Sequence, residues 1–405
     1  LSDAQIQMHQ TPFLHNMGFR GDSIHIALID AGFFKYNEFA TFDSVRTNGQ
    51  IMDTWDFVKG EASVSEDDGH GMQCFSTMAA NLPGTFVGSS PKANFYLYRS
   101  EDIYSEYPIE EHNLACAAER ADSAGVDICS ISLGYSTFSD PSLDYSYNDL
   151  NGNTCISSRA VQMGSNKGMF FVLAAGNEGN ASWHYLTAPA DAKDAMTVGA
   201  VNSSGIAASF SSYGPSSDGR IKPNVASFGL NSTIANTFNG QPTNGSGTSF
   251  ACPNMAGVTA CLWQAFKEKN NHDILEVLQE SANNFNTPDD RIGYGIPDAR
   301  KAFILLQKTG FTHSEQFHNC RAEISCHVKT NPTMHLIIER KYPEESNYSM
   351  VADLTSSDSW GFHQFDYVDD LQENTSQVKY RFLMKIGMDT TYVVAVSYTH
   401  LTLPT

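Results

Sequence analysis

Short apolar runs alternate with longer stretches of helical period over roughly the first three quarters of the chain. Ile24 to Asp30, Asn94 to Tyr98, Val126 to Ser132 and Phe170 to Ala174 each predict a buried strand, and Ile109 to Ala124 and Ser157 to Lys167 predict helices between them. That succession predicts right-handed crossovers and a doubly wound, mostly parallel sheet with helices on both faces, an α/β fold. Beyond about residue 311 the period changes. Ala322, Ile324, Cys326 and Val328 alternate with Glu323, Ser325, His327 and Lys329, and Val378, Tyr380, Phe382, Met384 and Ile386 alternate with Lys379, Arg381, Leu383 and Lys385. Period two predicts half-buried antiparallel strands, hence a small all-β sandwich over about residues 311 to 395.

In sheets of the first kind ligands sit beyond the carboxyl ends of the strands, where Asp30, Ser132-Leu133-Gly134 and Asn177 fall. The stretch from Asn244 to Gly257 reads as a tight loop delivering Ser249 to the start of a helix. Gly245 and Gly247 permit backbone angles closed to other residues, Thr248 caps the first turn, and Ala251, Met255, Val258 and Leu262 recur at helical spacing. Unpaired amides and the positive end of the helix dipole gather there, where they stabilise negative charge developing on a substrate oxygen. His70 opens a second helix of small residues. Singly, Asp30 and Asn177 read as turn residues, His70 as a cap and Ser249 as the start of a core helix. Together they are the set that acyl transfer needs, because a serine hydroxyl is a weak nucleophile until a neutral imidazole takes its proton. The imidazole in turn needs an acid to orient it, and the oxyanion needs a neutral donor.

Leu28-Ile-Asp-Ala-Gly32, His70-Gly71 and Gly247-Thr-Ser-Phe-Ala-Cys-Pro253 resemble the three signature blocks of the subtilisin-like serine peptidases, in that family's order of Asp, His and Ser. Phe170 to Gly179 resembles the family's oxyanion-hole segment. The resemblance covers about residues 1 to 306 and implies a peptidase domain there, with Asp30, His70 and Ser249 as a triad and Asn177 as oxyanion donor. It implies a secreted endopeptidase that cuts protein or peptide substrates through an acyl-enzyme. It further implies that Ser132, Leu133 and Gly134 pair with the substrate backbone and, with Ala174, Ala175 and Gly176, wall the pocket for the side chain preceding the cut. Glu178 falls at the rim of that pocket, where a carboxylate favours cationic side chains. Trp183, His184 and Tyr185 fall in the segment that lines it, and Thr187 makes its floor shallow. Met72, Cys252 and Asn254 depart from the family pattern beside these residues. Cys74 is similar to the free cysteine beneath the histidine in proteinase K-like members, which implies sensitivity to mercurials. A catalytically silent scaffold of the same fold, binding a protein partner, is the alternative, and the intact triad argues against it.

The balance of 25 basic against 45 acidic residues, net −20, disfavours nucleic acid and anionic membranes as partners, and 41% apolar content supports a large core. No apolar run approaches the roughly 20 residues that span a bilayer. Of eight cysteines, Cys74, Cys129, Cys252 and Cys261 sit in small or apolar contexts that predict free buried thiols, and any pairing of the others stays open. The chemistry requires no cofactor and no metal ligands are assigned. Structural calcium, which family members often bind, has no recognisable ligand spacing here and stays unplaced. The first residues look like the start of a mature subtilase domain, implying a leader and propeptide upstream, and residues 396 to 405 are similar to a translated sequencing adapter, a scar to be excluded from the fold. Tyr380 to Thr390 resembles fibronectin-like modules that precede type IX sorting domains in exported bacterial proteins, implying a sorting domain lost from the C-terminus. A generic sandwich accounts for the same alternation.

Overall fold

The computed structural model describes residues 1–66, 68–318, 320–372, 377–387 and 390–400, apart from the side chains of residues 399 and 400. The chain divides into two compact units, the first Leu1–Ala302 and the second beginning at Phe303. In chain order the strands of the first unit are β1 (His25–Asp30), β2 (Ile51–Asp56), β3 (Asn81–Leu82), β4 (Phe86–Val87), β5 (Asn94–Arg99), β6 (Ile128–Ile131), β7 (Phe170–Ala174), β8 (Met196–Val201), β9 (Val225–Phe228), β10 (Ser232–Ala235) and β11 (Pro242–Gly245). Seven of them form one sheet in the order β2-β5-β1-β6-β7-β8-β9, and every pairing in it is parallel. The remaining four make two short antiparallel hairpins, β3-β4 and β10-β11.

The reason the central strands read as unbroken apolar runs is now visible. From Ile26 onward β1 is buried, and β6 and β7 are buried along their whole length, because helices cover both faces of a parallel sheet. The helices are α1 (Asp3–Met8), α2 (Thr11–Asn16), α3 (Asp43–Thr47), α4 (His70–Ala79), α5 (Ile109–Ser123), α6 (Ile156–Asn166), α7 (Thr248–Ala265), α8 (Asn271–Ser281) and α9 (Ala299–Gly310). Helix α7 is buried on all sides and packs on β6, β7, β8, β9 and α4, so it is a core helix rather than an amphipathic one. Burying Met255, Val258 and Leu262 there stabilises the unit by about 1.5–3 kcal/mol each.

Two local expectations change. Gly247, not Thr248, is the N-cap of α7, and it makes no side-chain bond. Neither glycine of that loop occupies the left-handed region: Gly247 is extended at φ 163°. Gly245 saves space instead, since a Cβ there would require the Ile234 and Phe250 side chains to shift.

The second unit holds two antiparallel sheets facing each other, matching the predicted alternation. The first contains β12 (Thr312–His318), β13 (Arg321–Thr330) and β16 (Gly361–Asp370), and the second β14 (Met334–Lys341), β15 (Ser349–Thr355), β17 (Gln377–Ile386) and β18 (Thr390–His400). The His313 ring stacks on Phe382 across the gap at 4.7 Å, and the Tyr380 hydroxyl donates to buried Asp369 at 2.6 Å. Strand β18 takes in residues 396–400 of the adapter-like tail, because backbone pairing with β17 continues the ladder whatever the side chains are. Residues 401–405 lie outside the described residues. All eight cysteines are free, and six of them, including the four predicted as free thiols, are buried.

Candidate active site

The carboxyl edge of the parallel sheet and the N-termini of two helices meet at one place. Strand β1 ends at Asp30, α4 begins at His70, and α7 begins with Thr248 and Ser249. Asp30 is 1% exposed; its Oδ1 accepts from the Ala31 N–H at 2.8 Å and lies 2.7 Å from His70 Nδ1. Gly71 permits this approach, since a Cβ on it would stand 2.5 Å from the Gly32 carbonyl oxygen and 2.8 Å from the Asp30 Cβ. The His70 N–H is held by Asp68 at 2.6 Å, so the ring is fixed at both its backbone and its Nδ1. With Nδ1–H given to the carboxylate, Nε2 is the nitrogen free to accept a proton.

Burial alone pushes the His70 imidazole pKa down, but the Asp30 carboxylate, and after it the Cys74 sulfur, outweigh burial and hold the ring well above the ordinary histidine value. Cys74, one turn further along α4, places its sulfur 3.9 Å from the same nitrogen. Burial pushes that thiol up, so of the two neighbours the Asp30 carboxylate is the larger influence on the ring.

Ser249 owes its setting to a proline. Residue 253 would normally donate its N–H to the carbonyl of residue 249, but Pro253 has none to give. The freed carbonyl accepts instead from Ser132 Oγ at 2.9 Å and from Cys74 Sγ at 3.2 Å, which ties the serine's backbone to the end of β6 and to α4. The Ser249 hydroxyl itself points to the Ser132 carbonyl at 3.4 Å, a long and weak contact. Its backbone N–H is among those at the start of α7 that have no partner within the helix.

Asn177 sits three residues beyond β7, in a turn that Gly176 enters at φ 103°. Its Oδ1 accepts from the Thr248 N–H at 2.9 Å and from Thr248 Oγ1 at 3.1 Å, and Oγ1 in turn accepts from the Gly176 N–H at 3.3 Å. Anchoring the oxygen assigns the free end of the amide to Nδ2, a neutral donor at the edge of the cleft. Thr248, expected as a helix cap, therefore orients Asn177. The turn is also held from behind by Ser212, which accepts from the Glu178 N–H at 3.0 Å and donates its own N–H to the Gly176 carbonyl at 3.0 Å.

Beside Ser249 lies a pocket of about 110 Å³ walled by Ser132, Leu133 and Gly134 on one side and by Ala174 and Gly176 on the other, with Asn177 and Glu178 at its edge and Thr187 inside. Ala175 does not line it. Along a strand end successive side chains point to opposite sides, and Ala175 turns into a cluster with Leu150, Leu186 and Ala188. Trp183, His184 and Tyr185 are also absent from the lining. Trp183 donates to the Leu186 carbonyl at 2.7 Å, His184 stacks on Tyr213 at 3.8 Å, and Tyr185 packs on Tyr147 at 4.2 Å, so the aromatics brace the loop from outside.

A wider cleft of about 510 Å³ adjoins the outer side of Ser132-Leu133-Gly134 and is bounded by residues 101–106 and Glu110. Burial pushes the Glu101 carboxyl up to about 8, where Ser100 and Tyr135 hydroxyls donate to it, and pushes Glu106 up to about 7, with Glu110 adding like charge to both. This wall is absent from the sequence reading, because a loop carries no periodic signal and its acids acquire meaning only from proximity. Among the described residues, Asp30, His70 and Cys74 and the trio Glu101, Glu106 and Glu110 bring three donor atoms together. The second set is chemically of the kind calcium takes, an ion that binds carboxylates singly or bidentately and completes its six to eight oxygens with carbonyls and waters.

A family model described as the subtilase family matches residues 21–295, more than half of the chain. A thermostable alkaline protease of Halalkalibacterium halodurans is 28% identical over 298 residues, covering 73% of this chain and 72% of the relative. Subtilisin BL of Lederbergia lenta is 28% identical over 295 residues, covering 72% of this chain and 95% of its own. Among solved structures, MycP1 from Mycobacterium smegmatis is similar with a TM-score of 0.59 at 19% identity, covering 74% of this chain and 84% of that one. The self-cleaved protease domain of PatA is similar with a TM-score of 0.55 at 24% identity, covering 71% and 98%. At these identities the solved structures speak for the fold alone.

Proposed function

The chain belongs to the subtilase family and is a serine-type endopeptidase, and from that premise we propose that Ser249 opens the peptide bond with His70 as its base. The observation that carries this reading is the 2.7 Å contact between His70 Nδ1 and the buried Asp30 carboxylate, at the point where α7 presents Ser249. As Ser249 Oγ attacks the carbonyl carbon, its proton passes to His70 Nε2. Asp30 stabilises the imidazolium, and the carbonyl oxygen, now an oxyanion, accepts from Asn177 Nδ2 and from the Ser249 N–H. Collapse expels the amine, which takes the proton from His70. The resulting acyl-enzyme is then cut by water through the same base. These groups supply nucleophile, base and oxyanion donors, so the reaction needs no metal step.

Secretion belongs to the same proposal. The relatives include subtilisins, the kind of peptidase whose resemblance implies export, and no helix among the described residues is long and apolar enough to cross a membrane. Substrates are protein or peptide chains, whose backbone pairs with residues 132 to 134 as an added strand. The test is covalent labelling with a fluorophosphonate. Labelling of the wild type that is lost in Ser249→Ala supports the peptidase, and an unlabelled wild type supports the silent scaffold.

Asn177→Ala is expected to fold normally and to lose about 10²–10³ in kcat, the magnitude known for the equivalent donor in subtilisin, itself a member of this family. Steady-state kinetics on a peptide substrate checks this, and a loss under about tenfold assigns the oxyanion to other donors.

The pH profile follows from the raised imidazole pKa. Only neutral His70 accepts the serine proton, and the protonated form persists to higher pH than in an ordinary histidine, so activity is lost on acidification at a higher pH. The acid limb of kcat/KM is expected to have its midpoint above about 6.5. A flat profile contradicts the role of His70 as base, and a midpoint at or below that value contradicts the raised imidazole pKa.

A further inference from the structure

The pocket beside Ser249 ends at Thr187, whose Oγ1 fills the space where Cβ atoms on Gly134 and Gly176 would stand. The threonine is 5% exposed, and Oγ1 has no hydrogen-bond partner. Buried hydroxyls are nearly always paired, and one left single at the end of a binding pocket is open to a partner brought by the ligand. The size of the pocket points the same way. Its volume of about 110 Å³ is below the roughly 150 Å³ of an engineered cavity that holds benzene, which favours small side chains over aromatic rings.

We propose that this pocket takes a small hydroxyl-bearing side chain, serine or threonine, immediately before the cleaved bond, with Thr187 as the specificity-determining residue. The inference rests on the peptidase reading and names the substrate class for it. The substrate hydroxyl and Oγ1 each donate or accept, so the pair forms in either sense and satisfies both buried groups. Alanine fits the space but leaves Oγ1 unpaired, and leucine or phenylalanine exceeds the floor. Glu178 at the mouth opposes an acidic side chain, and a lysine reaches that carboxylate only by turning back out of the pocket.

The experiment is cleavage of peptides that differ only in the residue before the scissile bond, carrying Ser, Thr, Ala, Val, Leu, Phe or Lys. The enzymes are the wild type, Thr187→Ser, Thr187→Val and Thr187→Gly. Wild-type kcat/KM is expected to favour Ser over Ala, and Thr over the isosteric Val, by about threefold to tenfold, the size of one net hydrogen bond. Phe is expected to fall more than about tenfold below Ser. Thr187→Ser keeps the Ser:Ala ratio. Thr187→Val brings it to about one while still excluding Phe, and Thr187→Gly raises Phe and Leu relative to Ser by about tenfold or more. Wild-type preference for Leu, Phe or Lys over Ser overturns the proposal, as does an unchanged Ser:Ala ratio in Thr187→Val. Should the glycine variant not fold, the serine and valine variants carry the test. Fluorophosphonate labelling distinguishes the two failures: a labelled enzyme with another preference overturns only this inference, whereas an unlabelled wild type that cuts no peptide overturns the peptidase reading as well.

Discussion

Replacing Ser249 by alanine should lower kcat on a peptide substrate by about 10⁶-fold and leave the fold intact. That is the size of the loss for the equivalent serine in subtilisin, a member of the same family. The reason for the separation is in the contacts. What ties residue 249 into the core is its backbone carbonyl, bonded by Ser132 and Cys74, and that carbonyl is present in alanine too. The hydroxyl contributes one 3.4 Å contact to the Ser132 carbonyl, so its removal costs little stability. Thermal melting and peptide kinetics on the same preparation check both halves. Retained turnover with the wild-type cleavage pattern would remove Ser249 from the mechanism.

The second large effect is expected at Asp30. Asp30→Asn keeps size and shape but replaces a carboxylate oxygen pair with one oxygen and one amide nitrogen. In the wild type Oδ1 accepts from both the Ala31 N–H and His70 Nδ1. An amide oxygen left in that place keeps both bonds but carries no charge, whereas an NH₂ turned there meets the Ala31 N–H and makes Nδ1 the acceptor, which moves the proton to Nε2 and disables the base. The imidazolium formed during attack also loses its counter-charge. We expect kcat to fall by about 10⁴-fold, the order seen for this change in another serine protease of different fold. Fluorophosphonate labelling should slow in parallel, because it depends on the same activated hydroxyl. A loss of less than about a hundredfold would show that Asp30 packs the strand end without orienting the base.

Much of this arrangement is written locally. The apolar runs that became β1, β6 and β7 are legible because strands buried on both faces admit little else, and the period change after residue 311 marks the antiparallel strands for the opposite reason, one face being wet. The residue types at positions 30, 70, 177 and 249, and the proline four residues past the serine, are likewise properties of the sequence. Helix ends and strand ends carry them, and those are set by hydrogen bonding within a few residues.

What lies between elements distant in sequence was decided by the tertiary structure. Asp30 and His70 are 40 residues apart, and Ser132 and Ser249 are 117 apart; they meet because parallel pairing brings β1 beside β6 and because α4 and α7 pack on each other. Thr248 illustrates the difference. By sequence its hydroxyl is a helix cap, but the turn after β7 arrives within reach and takes it for Asn177. Ala174 and Ala175 are equal as letters, yet the direction of the strand end sends one to the pocket and the other to the core. The aromatic run at 183 to 185 offered itself as a pocket lining, and stacking on Tyr213 and Tyr147 claimed it for the outside of the loop. The sequence by itself thus determined the elements and the chemistry carried at their ends, since both depend on neighbours along the chain. Which hydroxyl meets which amide, and which side chain closes the pocket, was decided only by packing, because those contacts join segments whose distances no local pattern encodes.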